Sequence, residues 1–148
     1  GLDLGSKRIG VALSNSDGTV ATPFEVVQRV GDRAREHRRI AELAAEAEAE
    51  VVVVGMPYHL DGRMSRKAKA ALAEAEALRA TIGLPVETYD ERLTTVSAES
   101  MLRDRGRKGA DRRSVVDMAA AVLILQNALD TERASGSAPG EIVEVVDE

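Results

Sequence analysis

Residues 1–18, GLDLGSKRIGVALSNSDG, set the topology with which the chain opens. Leu2-Asp3-Leu4-Gly5 and Arg8–Ser14 alternate in the manner of two short strands, and Asn15-Ser16-Asp17-Gly18 ends in the Asp-Gly pair that favours a hairpin turn. The β-branched stretch 19–30, interrupted by Pro23, then predicts a third antiparallel strand with an irregularity. Because Gly1 falls inside a strand, further residues are expected to precede it, and no signal or transit segment is visible.

Beyond this meander the period changes. Over 32–50, Ile40, Leu43, Ala44 and Ala47 recur at helical spacing among Arg and Glu. Val51–Val54 is a run of four valines closed by Gly55, too short for a helix and apolar enough for a strand buried on both faces. A helix is expected over 65–82, closed by Gly83, then a strand over 84–89, a helix over 94–105 and a long apolar helix over 112–129. Three antiparallel strands feeding alternating helices and strands predict a mixed five-stranded α/β sheet with helices on both faces. That order is characteristic of the ribonuclease H-like architecture, although several α/β folds begin similarly. The chain divides into a domain at 1–130 and an acidic, flexible tail at 131–148, with a Ser/Gly/Pro linker over 134–140.

Composition narrows the chemistry. The 148 residues contain no cysteine, which excludes disulfides, thiolate metal sites and thiol catalysis. Aromatic residues are 2 %, so stacking platforms for bases are nearly absent. No apolar run approaches a membrane span, and no membrane partner is expected. The net charge of −5 argues against nucleic acid until it is divided along the chain. Six acids against Arg133 alone lie in 130–148, leaving a body with 19 bases and 19 acids. In that body Arg103, Arg105, Arg107, Lys108, Arg112 and Arg113 crowd a Gly-rich loop, and Arg63, Arg66, Lys67 and Lys69 form a second basic run.

Four carboxylates stand in unusual places. Asp3 lies between two leucines of a strand, where burial is costly without a partner. It could equally face solvent or cap the turn at Gly5. Asp90 and Glu91 end the fifth strand, and alternation lets only one of them face a given site. Asp117 opens an otherwise apolar helix, sharing a face with Ala121 and Ile124; an acid there also gains from the helix dipole. If the fold brings these acids together, their mutual repulsion calls for cations. Oxygen ligands without Cys or a convincing His point to magnesium or manganese, and two such ions can drive phosphodiester hydrolysis. His37, set among Arg35, Arg38 and Arg39, is expected on a solvated helix face, and His59 in a loop.

Four motifs together resemble the YqgF/RuvX family of Holliday-junction-resolvase-like nucleases. They are GLDLGSKRIGVA at 1–12, VVGMP at 53–57 followed by Asp61-Gly62, DERLTT at 90–95 with Ala98-Glu99, and VDMAA at 116–120 with Ile124-Leu125-Gln126. The resemblance implies a ribonuclease H-like fold and a metal-dependent cytoplasmic nuclease that matures the 5′ end of pre-16S ribosomal RNA. A Holliday-junction resolvase acting on branched DNA and a non-catalytic nucleic-acid-binding module are the alternatives. A sugar-kinase-like half-domain, suggested by the Asp-Leu-Gly-Ser-Lys hairpin, ranks last because the chain lacks a second lobe. Carried over by position, Asp3, Asp117 and one of Asp90 and Glu91 would be the catalytic metal ligands. Glu91 is favoured for its longer reach. Lys7, Arg8 and Arg92, with Arg105, Arg107, Lys108, Arg112 and Arg113, would contact phosphate. Asn15 departs from the acid common at its position, and Tyr58-His59-Leu60 follow Pro57. The expected state is a monomer or weak homodimer.

Overall fold

Leu2 of β1 (Leu2–Leu4) stands opposite Val11 of β2 (Arg8–Ser14) in an antiparallel pair, and β2 pairs antiparallel with β3 (Ala21–Gln28). These bounds come from a computed structural model that describes residues 1–58, 63–91, 109–136 and 141–142, apart from the side chains of 109–117, 135, 141 and 142. The expected irregularity is a register shift between Val11 and Ala12, which face Glu25 and Pro23. Pro23 has no N–H to donate, and β3 is the edge strand, where that loss is tolerated.

The chain then forms α1 (Arg33–Glu46), β4 (Val52–Met56), α2 (Arg66–Ile82), β5 (Val86–Asp90) and α3 (Gly109–Ser135). Asp32 caps α1 by accepting from the Arg35 amide, and Ser65 caps α2 by accepting from the Ala68 amide. Gly83 ends α2 in the left-handed region, at φ 77°, which glycine adopts without strain. β4 is parallel to β1 and to β5. The five expected strands are joined by a sixth, β6 (Glu141–Ile142), antiparallel to β5, and the order is β3-β2-β1-β4-β5-β6. α3 runs six residues beyond the expected end at Leu129. The expected helix over 94–105 lies outside the described residues.

All five residues of β4 are buried, as its apolar run requires. Leu2, Val52, Val54 and Val86 meet Ile40 and Leu43 of α1 and Ala75 and Leu78 of α2 on one face. On the other, Ala12, Val53 and Tyr89 meet Ala121, Val122, Ile124 and Leu125 of α3. Gln126 fastens α3 to the edge of the sheet: its Oε1 accepts from the Ala21 amide at 2.8 Å and its Nε2 donates to the Thr19 carbonyl at 2.9 Å. The sheet is thus covered on both sides, and its parallel strands β1, β4 and β5 end together.

Candidate active site

The register of β1, β4 and β5 determines which side chains meet at that end. Leu2 pairs with Val54, Gly55 with Tyr89, and Met56 with Asp90. Successive strand residues face opposite sides. Leu2 and Val54 belong to the α1/α2 face and Tyr89 to the α3 face, so Asp3, one step after Leu2, is on the α3 face. Asp90 shares the parity of Met56, which packs against Ala68 and Ala71 of α2. Glu91, one step further, comes to the α3 face.

Gly55 makes that approach possible. A methyl group built on it would overlap Ile124 Cδ1 and stand 3.1 Å from Glu91 Cγ. Glycine therefore lets both α3 and the Glu91 side chain lie directly over β4. The Glu91 carboxyl is pushed up from its ordinary 4.5 to about 6, first by burial, then by the negative charges of Asp3 and Asp90. Asp3 and Glu91, 88 residues apart in sequence, therefore act on each other electrostatically.

Asp117 lies in α3, four residues ahead of Ala121 and seven ahead of Ile124, both buried against the sheet. Its side chain is outside those described. Among the described residues no group of three or more His, Asp or Glu is arranged to hold a metal. The donors that are described nonetheless suit a hard cation: Asp3 and Glu91 are partly buried carboxylates, and the charge of Asp3 helps raise the Glu91 carboxyl.

Of the expected phosphate-binding residues, Lys7 and Arg8 are exposed at the β1–β2 turn, at the same end of the sheet as Asp3. Arg112 and Arg113 lie at the start of α3, with side chains outside those described. Arg92, Arg105, Arg107 and Lys108 lie outside the described residues, as do His59, Thr94 and Thr95. Asn15 belongs to the far end of β2, where its Oδ1 accepts from the Thr19 and Val20 amides at 2.8 and 3.1 Å.

The placement of His37 is corrected. It is 2 % exposed, and its Nε2 lies 2.7 Å from Glu74 Oε2. The neighbouring arginines misled: His37 lies one turn before Ile40, on the side of α1 that meets α2, and an acid buried there provides its partner. Arg29, Glu36 and Glu74, which complete this cluster, were not singled out from sequence at all. The available signal was Glu74 itself, a carboxylate inside the stripe Ala71, Ala75, Leu78 that α2 buries.

A sequence profile of the RuvX Holliday junction resolvase family matches residues 1–131. The chain belongs to the RuvX family. A relative from Nocardioides, named as a candidate pre-16S rRNA nuclease, is 55 % identical over 147 residues, covering 97 % of this chain and 94 % of that protein. Relatives of the same name are 49 % identical in Leifsonia xyli, over 97 % of this chain and 92 % of that protein, and 48 % in Mycobacterium leprae, over 97 % and 84 %. Among solved structures, Thermus thermophilus RuvC in complex with a Holliday junction substrate aligns with TM-score 0.57 and 23 % identity, covering 93 % of this chain and 95 % of that one. This likeness bears on the fold alone, and it agrees with the ribonuclease H-like architecture expected of a RuvX chain.

Proposed function

We propose that this RuvX protein is a metal-dependent nuclease that hydrolyses phosphodiester bonds in maturation of the 5′ end of pre-16S ribosomal RNA. The observation that carries the reading is Glu91 seated over Gly55, with its carboxyl raised to about 6 by burial and by the charges of Asp3 and Asp90. The name shared by its relatives supports the choice of RNA. On this reading the protein works in the cytoplasm, as a monomer or weak homodimer.

Asp3, Glu91 and Asp117 would hold magnesium or manganese, two ions in the full form of the proposal. The metal would supply Lewis acidity, making a bound water nucleophilic and offsetting charge on the leaving oxygen. The chain's own contribution is to hold and aim. Gly55 clears the space in which Glu91 reaches across β4 towards Asp3. Lys7 and Arg8, with Arg92, Arg105, Arg107, Lys108, Arg112 and Arg113, would contact phosphates and position the scissile bond without reading its sequence. Below about pH 6 Glu91 holds a proton and loses its value as an anionic ligand.

The family description and the RuvC fold support a second reading, resolution of branched DNA. Cleavage of a pre-16S 5′-end RNA and of a four-way DNA junction, side by side with and without manganese, separates the possibilities. The proposal expects manganese-dependent cutting of the RNA, lost in Asp3→Asn and Glu91→Gln. Cutting of the junction alone supports the resolvase, and binding without cutting of either supports a non-catalytic module.

A further inference from the structure

Directly behind the β1–β2 turn lies a buried cluster of charge that plays no part in the chemistry above. Arg29, the residue after β3, directs its guanidinium inward. Its Nη1 donates to Glu36 Oε1 at 2.9 Å and to Glu74 Oε2 at 2.6 Å, and its Nη2 donates to Glu74 Oε1 at 2.8 Å. Glu36 Oε2 accepts from the Val30 amide at 2.8 Å, and His37 closes the cluster on Glu74. Glu36 and Glu74 are 5 % and 4 % exposed. A buried ion cluster of this kind is weak evidence for stability, since apolar side chains of similar volume often serve as well. What it does provide is direction. The guanidinium is a rigid fork of five donors, and carboxylates on two different helices, α1 and α2, hold it in one orientation.

Two further donors of Arg29 reach the β1–β2 turn. Its Nε donates to the Gly5 carbonyl at 3.1 Å, and its backbone amide donates to the Lys7 carbonyl at 3.0 Å. The Gly5 amide in turn donates to the Asp3 carbonyl at 3.0 Å. Two hydrogen bonds therefore join the guanidinium to the backbone of Asp3, and one bond joins Arg29 to Lys7. The turn so held is tight: a methyl group on Gly5 would lie 2.5 Å from the Arg8 carbonyl oxygen.

We propose that Arg29 is a positioning residue, which fixes the Gly5–Lys7 turn so that Lys7 meets a backbone phosphate of the RNA while Asp3 faces Glu91. This rests on the nuclease reading for the identity of the ligand, but the clamp itself does not. A lysine at position 29 keeps the positive charge and the backbone amide while losing the fork that reaches both Glu74 and Gly5.

The test uses the full chain in Arg29→Lys, with Leu78→Ala as a control. Leu78 is fully buried in the α1/α2 core, so its truncation lowers the melting temperature without touching the turn. Binding of a pre-16S 5′-end RNA is measured across salt concentrations in EDTA. The proposal expects Arg29→Lys to bind about tenfold more weakly near 0.1 M salt, with a log–log salt slope shallower by about one phosphate contact, while Leu78→Ala keeps the wild-type slope. If Arg29→Lys matches Leu78→Ala in slope, the role is structural and the proposal is overturned. Should Arg29→Lys not fold, Glu36→Gln, which weakens one support, is expected to flatten the slope in the same direction; an unchanged slope overturns the proposal equally. Hydrogen exchange gives an arm independent of RNA. The amides of Gly5 and residue 29 are expected to exchange faster in the variant than in Leu78→Ala, and equal rates would refute the clamp. A wild type that binds no RNA defeats the nuclease reading, and the exchange arm then decides the clamp by itself.

Discussion

Glu91, proposed above as a metal ligand, is unfavourable for the fold. Its carboxyl titrates near 6 in the folded chain and near 4.5 when free of its neighbours, so ionising it opposes folding. The folded state holds the extra proton between those values, and stability therefore falls as pH rises through that window. Glu91→Gln removes the penalty. The expected outcome is a variant that cuts nothing yet is more stable at pH 7.5, by about 1 kcal/mol once partial exposure of the group is allowed for. Thermal melts at pH 7.5 and 4.5 check this, and the gain is expected to vanish at the lower pH. Gly55→Ala should do the opposite. Its methyl group meets Ile124 and Glu91, and shifting them is expected to cost about 1–3 kcal/mol and displace Glu91, so melting temperature and cleavage rate fall together. In the sequence, Asp90 and Glu91 could be seen to face opposite sides, but not which side carried the site. That depended on the parity of Leu2, Val54 and Tyr89, which only the packed sheet displays.

Among the elements, the two ends of α2 were the most legible. Gly83 and the start at Ser65 were readable because capping chemistry is local. The face of α1 was half read: Ile40 and Leu43 are buried as their spacing predicts, but Glu36 and His37 are buried beside them. Such burial depends on α2 and β3, far away in sequence, and no period within α1 reveals it. The same cluster makes a prediction about how these elements stay together. Burial alone would raise the Glu74 carboxyl, yet hydrogen bonds from His37 and Arg29 outweigh it and hold it at about 2. A carboxylate depressed so far contributes about 3 kcal/mol above pH 4.5, and the contribution is lost as pH falls towards 2. Urea unfolding of wild type and Glu74→Gln should therefore differ by a few kcal/mol at pH 7 and by much less at pH 2.5. An equal gap at both values would show that the ionised pair is not what holds α1, α2 and β3 together.

At the scale of the whole molecule, the meander followed by β-α units was enough to give the five main strands and their order of appearance. β6 was missed because two residues from an acidic stretch carry no strand pattern of their own; they pair because β5 offers an edge. The convergence of acids was legible only as a consequence of the fold. Asp3 and Glu91 meet because β1, β4 and β5 are parallel neighbours that end together, a fact no local window contains. The net charge of −5 likewise conceals a body whose acids and bases balance, with its excess of acid gathered after residue 129. On the proposed function, this fold assembles its carboxylates into a cation site. Calorimetric titration of manganese into wild type, Asp3→Asn and Glu91→Gln at pH 7.5 tests it most directly. Saturable binding to the wild type, weakened at least tenfold in each variant, is the expected result; equal binding to all three would overturn the proposed cation site.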